Sequence, residues 1–380
     1  MVNIAGIIYT KAGAVAKATF GLDSFFGLPA SSLSDPQVSF DASSGRWFSS
    51  IIDIPNHRVV FAVSTSNDPT GTLMVTDCTG SCIPSPTSQS NTETVVSITG
   101  VPPATVTVSS SSFSISTSVI GPNAAQPGTG TQLVTNDNRV ESVVWESNSL
   151  WAAWNDACIP NGDTATRTCL RLVQATTSGS TATKTQDFDF STNGGYYFYP
   201  AVTSFQGQLA VSFGTSSSTV YPSALVTGRA SSDPANTLQA PATIRAGSAL
   251  DTSTRYGDCF GAATDPAPTA ASTFWMEAEY RQSSTFQNWN TMIAQVGAFS
   301  APGPFDFSVS VNPSSGSVGQ GSGTTATVTV SLVSGTSQSV SLSASVSPSA
   351  TGLSVGVNST SGNPTYTSTL TITTTSSSTL

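Results

Sequence analysis

The chain has 380 residues, of which only 9% are charged, and its formal net charge at pH 7 is −9. This acidic balance argues against nucleic-acid binding, which needs clustered Lys and Arg, and the 38% apolar content excludes a disordered chain. No run approaches the ~18 apolar residues that a membrane-spanning helix requires. The length suits two domains.

Residues 1–20 carry an apolar segment that we interpret as a separate N-terminal strand. Its apolar side chains fall on both faces of the strand, which predicts burial on both. Two interpretations stay open. The strand closes the following domain by pairing with its last strands, or it inserts into a neighbouring copy as a donor strand. The donor-strand residues would be Val2, Ile4, Ile7, Ile8 and Tyr9.

Residues 21–300 show short alternating apolar runs separated by Gly, Pro, Asn and Asp, which is typical of an all-β domain. The runs group into an imperfect repeat of ~45 residues, the length of a four-stranded propeller blade. We therefore predict a β-propeller of about five blades. The blades would lie near 35–77, 90–125, 131–176, 195–246 and 254–298.

Three segments resemble a family of secreted bacterial and archaeal β-propeller surface proteins. They are 34–48 (SDPQVSFDASSGRWF), 62–71 (AVSTSNDPTG) and 255–261 (RYGDCFG), the last followed by Asp265-Pro266 and a Trp-containing strand. Cys259 stands where the family pattern has an aromatic residue. The resemblance implies a propeller fold and an extracellular or cell-surface location, and it says little about activity.

Five cysteines allow two local disulfides. Cys78 with Cys82 and Cys158 with Cys169 would each close a short loop with turn residues between its ends. Such pairs are typical of an oxidising compartment. Cys259 is left over and is interpreted as a buried packing thiol.

Four acidic residues are the candidates for a catalytic or sugar-binding site at the centre of the propeller: Asp35, Asp258, Glu277 and Glu279. Glycoside hydrolysis needs two carboxyl groups facing each other across a cleft. Glu277 and Glu279 share one strand face, although two acids on a strand also fit a solvated surface. The single histidine, His57, permits no His-based metal site. We therefore predict that the protein is not an enzyme.

Oxygen-rich turns offer weak calcium candidates in Asp137, Asp156 and Asp163. Turn chemistry alone also explains these residues, so the sequence predicts no cofactor.

The tail, 305–380, follows a Pro/Gly linker at 301–304 and carries no charged residue and no His from Phe307 onward. About half of these residues are Ser or Thr. Five alternating strands, predicted at 305–311, 325–333, 339–346, 353–357 and 366–372, resemble the immunoglobulin-like domains of microbial surface proteins. Such a sandwich needs about seven strands, so a bare edge is expected. Candidate glycosylation sites are Asn358, Thr373, Thr374 and Thr375.

Together these features predict an extracellular structural or adhesive glycoprotein. The favoured hypothesis is a fibre subunit that self-associates head to tail by strand addition. The alternative is a propeller that binds carbohydrate or hydrolyses glycosidic bonds at its central face.

Overall fold

A computed structural model describes residues 5–29, 32–71, 73–79, 89–100, 104–253, 255–258, 260–265, 273–285, 289–299, 305–335 and 337–377. The chain divides into two compact units, Met1–Phe299 and Ser300–Leu380. The described residues contain one four-residue helix, and all their other regular elements are β-strands. The all-β prediction is therefore confirmed. Within the same residues no helix has the length and apolar character needed to cross a bilayer. The predicted linker 301–304 lies outside the described residues.

The N-terminal strand forms a hairpin of its own. Strands β1 (Ala5–Tyr9) and β2 (Val15–Gly21) pair antiparallel as a two-stranded sheet, an arrangement that the sequence analysis did not consider. Burial on both faces is wrong for β1 because Ile7 is 38% exposed. Val2 and Ile4 lie outside the described residues.

The helix α1 (Leu22–Phe25) anchors this segment to the first sheet. Leu22 and Phe26 are fully buried and pack with Ile51 and Val60 of that sheet. The first sheet is an antiparallel meander in chain order. Its strands are β3 (Leu33–Asp41), β4 (Arg46–Asp53), β5 (Arg58–Ser64) and β6 (Leu73–Thr79).

A long hairpin follows in place of the predicted second blade. The described residues form two strands, β7 (Gln89–Thr99) and β8 (Thr107–Val119). Ile115 of β8 packs against Trp154 and Val173 of the next sheet. Ser and Thr are the most frequent residues in the two strands of this hairpin. The hairpin therefore offers few apolar side chains on which further strands could pack.

Two further four-stranded meanders and a three-stranded one complete the first unit. The third predicted blade ends too early, since its sheet continues to Phe190. The strands of the three sheets are, in order, β9 (Ser142–Glu146), β10 (Ser149–Cys158), β11 (Arg167–Ser178) and β12 (Thr181–Phe190); β13 (Tyr196–Phe205), β14 (Gln208–Ser216), β15 (Ser223–Arg229) and β16 (Ala242–Arg245); β17 (Gly261–Thr264), β18 (Phe274–Arg281) and β19 (Trp289–Val296).

The three sheets from β9 to β19 pack on one another through their apolar faces. Leu170 and Leu172 of β11 meet Val211 and Phe213 of β14 in the largest core cluster. On the other face of β14, Ala210 packs with Phe274 and Met276 of β18. Strands buried on both faces explain why β13–β15 read as nearly continuous apolar runs.

The second unit contains a four-stranded sheet in the order β20-β21-β25-β23 and a two-stranded sheet of β22 and β24. The predicted strand at 339–346 shrinks to two residues. An immunoglobulin-like fold is not established by this arrangement. The strands are β20 (Asp306–Asn312), β21 (Gly323–Ser334), β22 (Val340–Ser341), β23 (Leu353–Val357), β24 (Ser361–Gly362) and β25 (Tyr366–Thr374).

Candidate active site

Charged groups from separate sheets of the first unit interact at one place, which we call the acidic cluster. Its electrostatic contacts link Arg139 to Asp35 and Asp258, and they link Glu141 to Asp137 and Asp258. Asp35 lies in β3, Glu141 directly precedes β9, and Asp258 shortly precedes β17. The members are Asp35, Asp137, Arg139, Glu141, Tyr199, Arg255, Tyr256, Asp258, Glu279 and Arg281.

Tyr199 forms the floor of the cluster. Its backbone has φ +56°, in the left-handed region, at a register shift in the pairing of β13 with β14. The Tyr199 N–H donates to Oδ1 of Asn155 at 2.7 Å, and its hydroxyl donates to the carbonyl of Val134 at 2.9 Å. Burial and the negative charges of Glu141, Asp258 and Glu279 raise its pKa. A non-glycine residue in this conformation is uncommon and is often found at functional sites.

Glu141 is a carboxyl group whose pKa this environment raises. Nδ2 of Asn155 donates to Glu141 Oε1 at 2.7 Å, whereas Glu141 Oε2 is buried without a hydrogen-bond partner in the described residues. Burial, assisted by the charges of Asp137 and Asp258, raises the Glu141 pKa well above its usual range. The charged form is disfavoured because it would lose its hydration without gaining enough donors.

Glu279 is the second such carboxyl group. It is 7% exposed on β18, and burial raises its pKa to about 7 despite the opposing charge of Arg281. Arg281 Nη2 lies 3.6 Å from Glu279 Oε1. A Cβ at position 257 would collide with the Glu279 carboxylate, so only Gly257 permits this close approach. The interpretation of Glu279 as part of a solvated face is therefore wrong.

Arg281, which lies next to Glu279, is itself held by an ion pair. Arg281 Nη2 is 2.6 Å from Oδ1 of the buried Asp251, and its guanidinium carbon lies 5.4 Å from the Tyr256 ring centroid. Tyr256 is fully buried and stacks on Tyr199 with ring centroids 6.2 Å apart. Gln126 fixes the Asp251 backbone, accepting from its N–H at 2.7 Å and donating to its carbonyl at 2.9 Å.

The rim of the cluster is exposed and carries both charge signs. Arg139 pairs with Asp137 at 2.8 Å, and Arg255 pairs with Asp258. Asp35 is exposed, has φ +53°, and accepts a hydrogen bond from the Ser34 hydroxyl at 2.9 Å. The cluster therefore combines exposed charged groups with buried tyrosines and with carboxyl groups whose pKa burial raises.

Three of the four predicted acids, Asp35, Asp258 and Glu279, belong to this cluster. Glu277 is half-buried and interacts electrostatically with Glu279, and burial raises its pKa as well. Glu141 and Arg281 were missed. Arg281 follows Glu279 by two residues and Glu141 follows Arg139 by two, but the sequence carries no spacing that would have connected these two segments.

The calcium candidates are not assembled into a site. Asp137, Asp156 and Asp163 each form an ion pair with an arginine, at 2.8, 2.6 and 2.8 Å respectively. No group of three or more acidic, His or Cys ligands occurs in the residues that the structure describes. His57 is exposed in the turn between β4 and β5, with φ +47°.

The predicted disulfide between Cys158 and Cys169 is confirmed. Cys82, Cys259 and the side chain of Cys78 lie outside the described residues. The aromatic Tyr196–Tyr199 run is buried in the core at all four positions.

The glycosylation candidates in the tail already make hydrogen bonds. Thr373 shares a 2.6 Å hydrogen bond with Ser354, and the Thr374 hydroxyl donates to the Gly319 carbonyl at 2.7 Å. The side-chain oxygen of the exposed Asn358 accepts from the Thr369 N–H at 2.6 Å. Thr375 is exposed. Glycosylation at these positions stays a prediction.

Comparison with known proteins gives no family. No family model matches the sequence, and no curated protein sequence matches it. Among solved structures, a GH32 β-fructofuranosidase from Bombyx mori superposes with a TM-score of 0.30 and 10% identity, covering 69% of this chain and 46% of the enzyme. An exo-β-1,3-galactanase from Phanerochaete chrysosporium gives 0.34 and 10%, covering 100% and 87%. A Dyadobacter fermentans protein of unknown function gives 0.33 and 9%, covering 89% and 94%.

This chain thus spans less than half of the Bombyx mori enzyme.

Proposed function

We propose that the first unit is a β-propeller that binds glycans and hydrolyses glycosidic bonds at the acidic cluster. Two features support the propeller: its four-stranded sheets are antiparallel meanders in chain order, and the sheets of β9–β12, β13–β16 and β17–β19 pack face to face in that order. Charged groups from β3 and from the segments before β9 and β17 interact with one another, and Glu279 of β18 joins them through Tyr199, as groups around a central axis would.

The observation that carries the catalytic proposal is the contrast among the carboxyl groups. Glu279, with a pKa of about 7, retains its proton in a large fraction of molecules at neutral pH. Asp258, at the rim and paired with Arg255, supplies a second carboxyl group, and both it and Glu279 interact electrostatically with Tyr199. Glycoside hydrolysis requires one carboxylic acid to protonate the leaving oxygen and one carboxylate to act as base or nucleophile. We assign the acid role to Glu279 and the carboxylate role to Asp258.

Hydrolysis of a panel of polysaccharides and aryl glycosides, followed as released reducing ends or aryl alcohol, tests this proposal. We expect Glu279→Gln and Asp258→Asn each to lower kcat by at least ~100-fold, the usual effect of removing an acid–base group. Asp68→Asn, an exposed carboxylate far along the chain, serves as the control. A wild-type protein that hydrolyses no member of the panel, or full activity of Glu279→Gln, contradicts the assignment.

A second candidate function, self-assembly by strand addition, is favoured by the edge of the second unit. Strand β20 is exposed at every residue, and Phe307, Val309 and Val311 present apolar side chains on one of its faces. No charged gatekeeper protects this edge beyond Asp306. We infer that β1 of another copy, with exposed Ile7 and Tyr9, adds along β20.

Negative-stain microscopy of the native protein and of single variants tests assembly. Val309→Lys and Ile7→Lys place a charge on the proposed contact, so they should abolish filaments. Ser308→Lys, on the opposite face of β20, and Ala12→Lys, in the β1–β2 turn, add the same charge and should leave filaments unchanged. Wild-type protein that stays monodisperse and forms no filaments would contradict self-assembly.

An extracellular or cell-surface location, an immunoglobulin-like second unit and membership of the secreted propeller family belong to this proposal. The Cys158–Cys169 disulfide supports the location, because such bonds persist chiefly in oxidising compartments. Intact-mass measurement of the native protein tests glycosylation. A mass equal to the bare 38.8 kDa chain would exclude it.

A further inference from the structure

A pocket with polar lining residues lies between the sheet of β9–β12 and the sheet of β13–β16. Its volume is about 310 Å³, and Glu146, Trp151, Gln186, Ser204, Arg229 and Ser231 contribute to its lining. Glu146 ends β9 whereas Glu141 precedes it, so their Cα atoms are roughly 16 Å apart at ~3.3 Å per strand residue. The pocket is therefore distinct from the acidic cluster.

Arg229 gives the pocket a buried positive charge. It is 6% exposed, and its guanidinium donates to neutral acceptors: Gln186 Oε1 at 2.5 Å and the Asp233 carbonyl at 2.7 Å. In the described part of the chain no carboxylate lies within ion-pair distance of it. Burial lowers the Arg229 pKa, and the charge of Asp233 opposes this shift only in part. An anion bound here would supply the missing counter-charge.

The opposite wall is suited to hydroxyl groups. The Glu146 carboxylate is fixed by the backbone N–H groups of Gln206 and Gly207, at 2.7 and 3.4 Å. It can accept hydrogen bonds, but it would repel an anion placed beside it. The Ser204 hydroxyl is buried without a hydrogen-bond partner in the described residues. A buried polar atom of this kind is destabilising unless a ligand or water satisfies it.

The small volume of the pocket, which Trp151 lines, limits the ligand to a compact molecule. Trp151 is almost fully buried, and the Arg229 guanidinium lies 5.8 Å from its ring centroid. A volume near the low end of the ~300–1,000 Å³ typical of small-molecule sites suits one or two rings. We propose that this pocket binds a small polyhydroxylated carboxylate, such as a sugar acid, with its carboxylate at Arg229 and its hydroxyls toward Glu146 and Ser204.

Isothermal titration calorimetry with glucuronate, and with glucose as the uncharged analogue, tests the site. The wild type should bind glucuronate at least tenfold more tightly than glucose, because only glucuronate carries the anion that Arg229 can pair with. Arg229→Gln should remove that difference. Equal affinity for the two sugars, or no detectable glucuronate binding, overturns the proposal.

Two substitutions near the entrance of the pocket test the proposal even if Arg229→Gln fails to fold. Ser231 is exposed at the pocket, so Ser231→Trp should block entry and weaken glucuronate binding at least tenfold. Its neighbour Ser232 is equally exposed but does not line the pocket, and Ser232→Trp should bind as the wild type does. Unchanged binding by Ser231→Trp would place the ligand elsewhere. Glu279→Gln should leave glucuronate affinity unaltered, which separates this site from the acidic cluster.

Discussion

Arg171 shows how a single charged residue organises the second four-stranded sheet. Its side chain is 4% exposed, and it lies within 2.6, 2.7 and 2.9 Å of carboxylate oxygens of Asp156, Asp187 and Asp189. Asp156 Oδ1 also accepts from the Val119 N–H at 2.6 Å, which ties β8 to β10. The network therefore joins the β7–β8 hairpin to its neighbouring sheet.

Arg171→Met should lower the free energy of unfolding of the first unit by about 3–5 kcal/mol, the usual effect of removing one partner from a buried ionic network. Urea denaturation followed by tryptophan fluorescence measures it. The matched control is Arg139→Gln, which breaks the pair with Asp137. Because the Arg139 side chain is 55% exposed, we expect its loss to change stability by less than about 1 kcal/mol. Equal effects of the two variants would contradict the structural role of Arg171.

Glu279 should make the stability of the first unit depend on pH. The Glu279 pKa is about 7 in the folded chain against an ordinary value of 4.5, so the folded chain holds this proton more tightly. Its contribution to stability is therefore complete below pH 4.5 and is lost as the pH rises through about 7.

Glu279→Gln removes this titration. Between pH 4.5 and 7 the wild-type unfolding free energy should fall relative to that of the variant, which stays neutral at position 279 throughout. Denaturant titrations at pH intervals across this window give the difference directly. Parallel curves for the two proteins would show that Glu279 is not buried as described.

At the scale of elements, the Cys158–Cys169 disulfide joins the end of β10 to the start of β11. The two cysteines are 11 residues apart, and closing such a loop restricts the unfolded chain. Replacing both by Ala should lower the unfolding free energy by about 2–4 kcal/mol. Chemical denaturation with and without reductant measures the effect. The double variant should no longer respond to reductant, and a continued response would implicate the other cysteines.

Alternation of apolar and polar residues predicted strands well where one face of the strand is buried, and it predicted them poorly elsewhere. In β21, the alternate residues Ala326, Val328 and Val330 are buried while their neighbours are less so, as the sequence predicts. The predicted strand 339–346 also alternates, but its Ser and Ala side chains bury little area, and only two residues pair. Pairing depends on packing against neighbours rather than on alternation itself.

At the scale of the whole molecule, the two units should be separable after Phe299. Each has its own core, since the buried clusters of the first unit end with Phe299 and the second unit buries Val328, Val330 and Val340 among its own strands. A chain ending at Phe299 should therefore keep the thermal transition of the first unit.

The matched control ends three residues earlier, at Val296. It loses Phe299, which packs against Phe274 at 6.0 Å between ring centroids and donates its N–H to Gln208 Oε1 at 2.7 Å. We expect this shorter chain to be less stable by about 1–3 kcal/mol from the lost burial. Calorimetry compares the two chains. Loss of folding in the chain ending at Phe299 would contradict the independence of the units.

The sequence by itself determined the class of this protein and several of its local features. Alternating apolar runs and frequent turn residues required β-structure, because strand side chains repeat every two residues. The change of composition at residue 307 marked the second unit, and short spacing identified the Cys158–Cys169 pair. Asp35, Asp258 and Glu279 were chosen as candidate site residues from the sequence alone.

Only the tertiary structure determined which other residues these side chains contact. Glu141, Tyr199 and Arg281 join the acidic cluster only because separate sheets converge there, and a pKa shift depends on burial and neighbouring charges that no local pattern records. The pocket around Arg229 likewise gathers residues from 146 to 231. Local sequence fixes the period and the turns, whereas long-range packing sets the distances and the desolvation on which site chemistry depends.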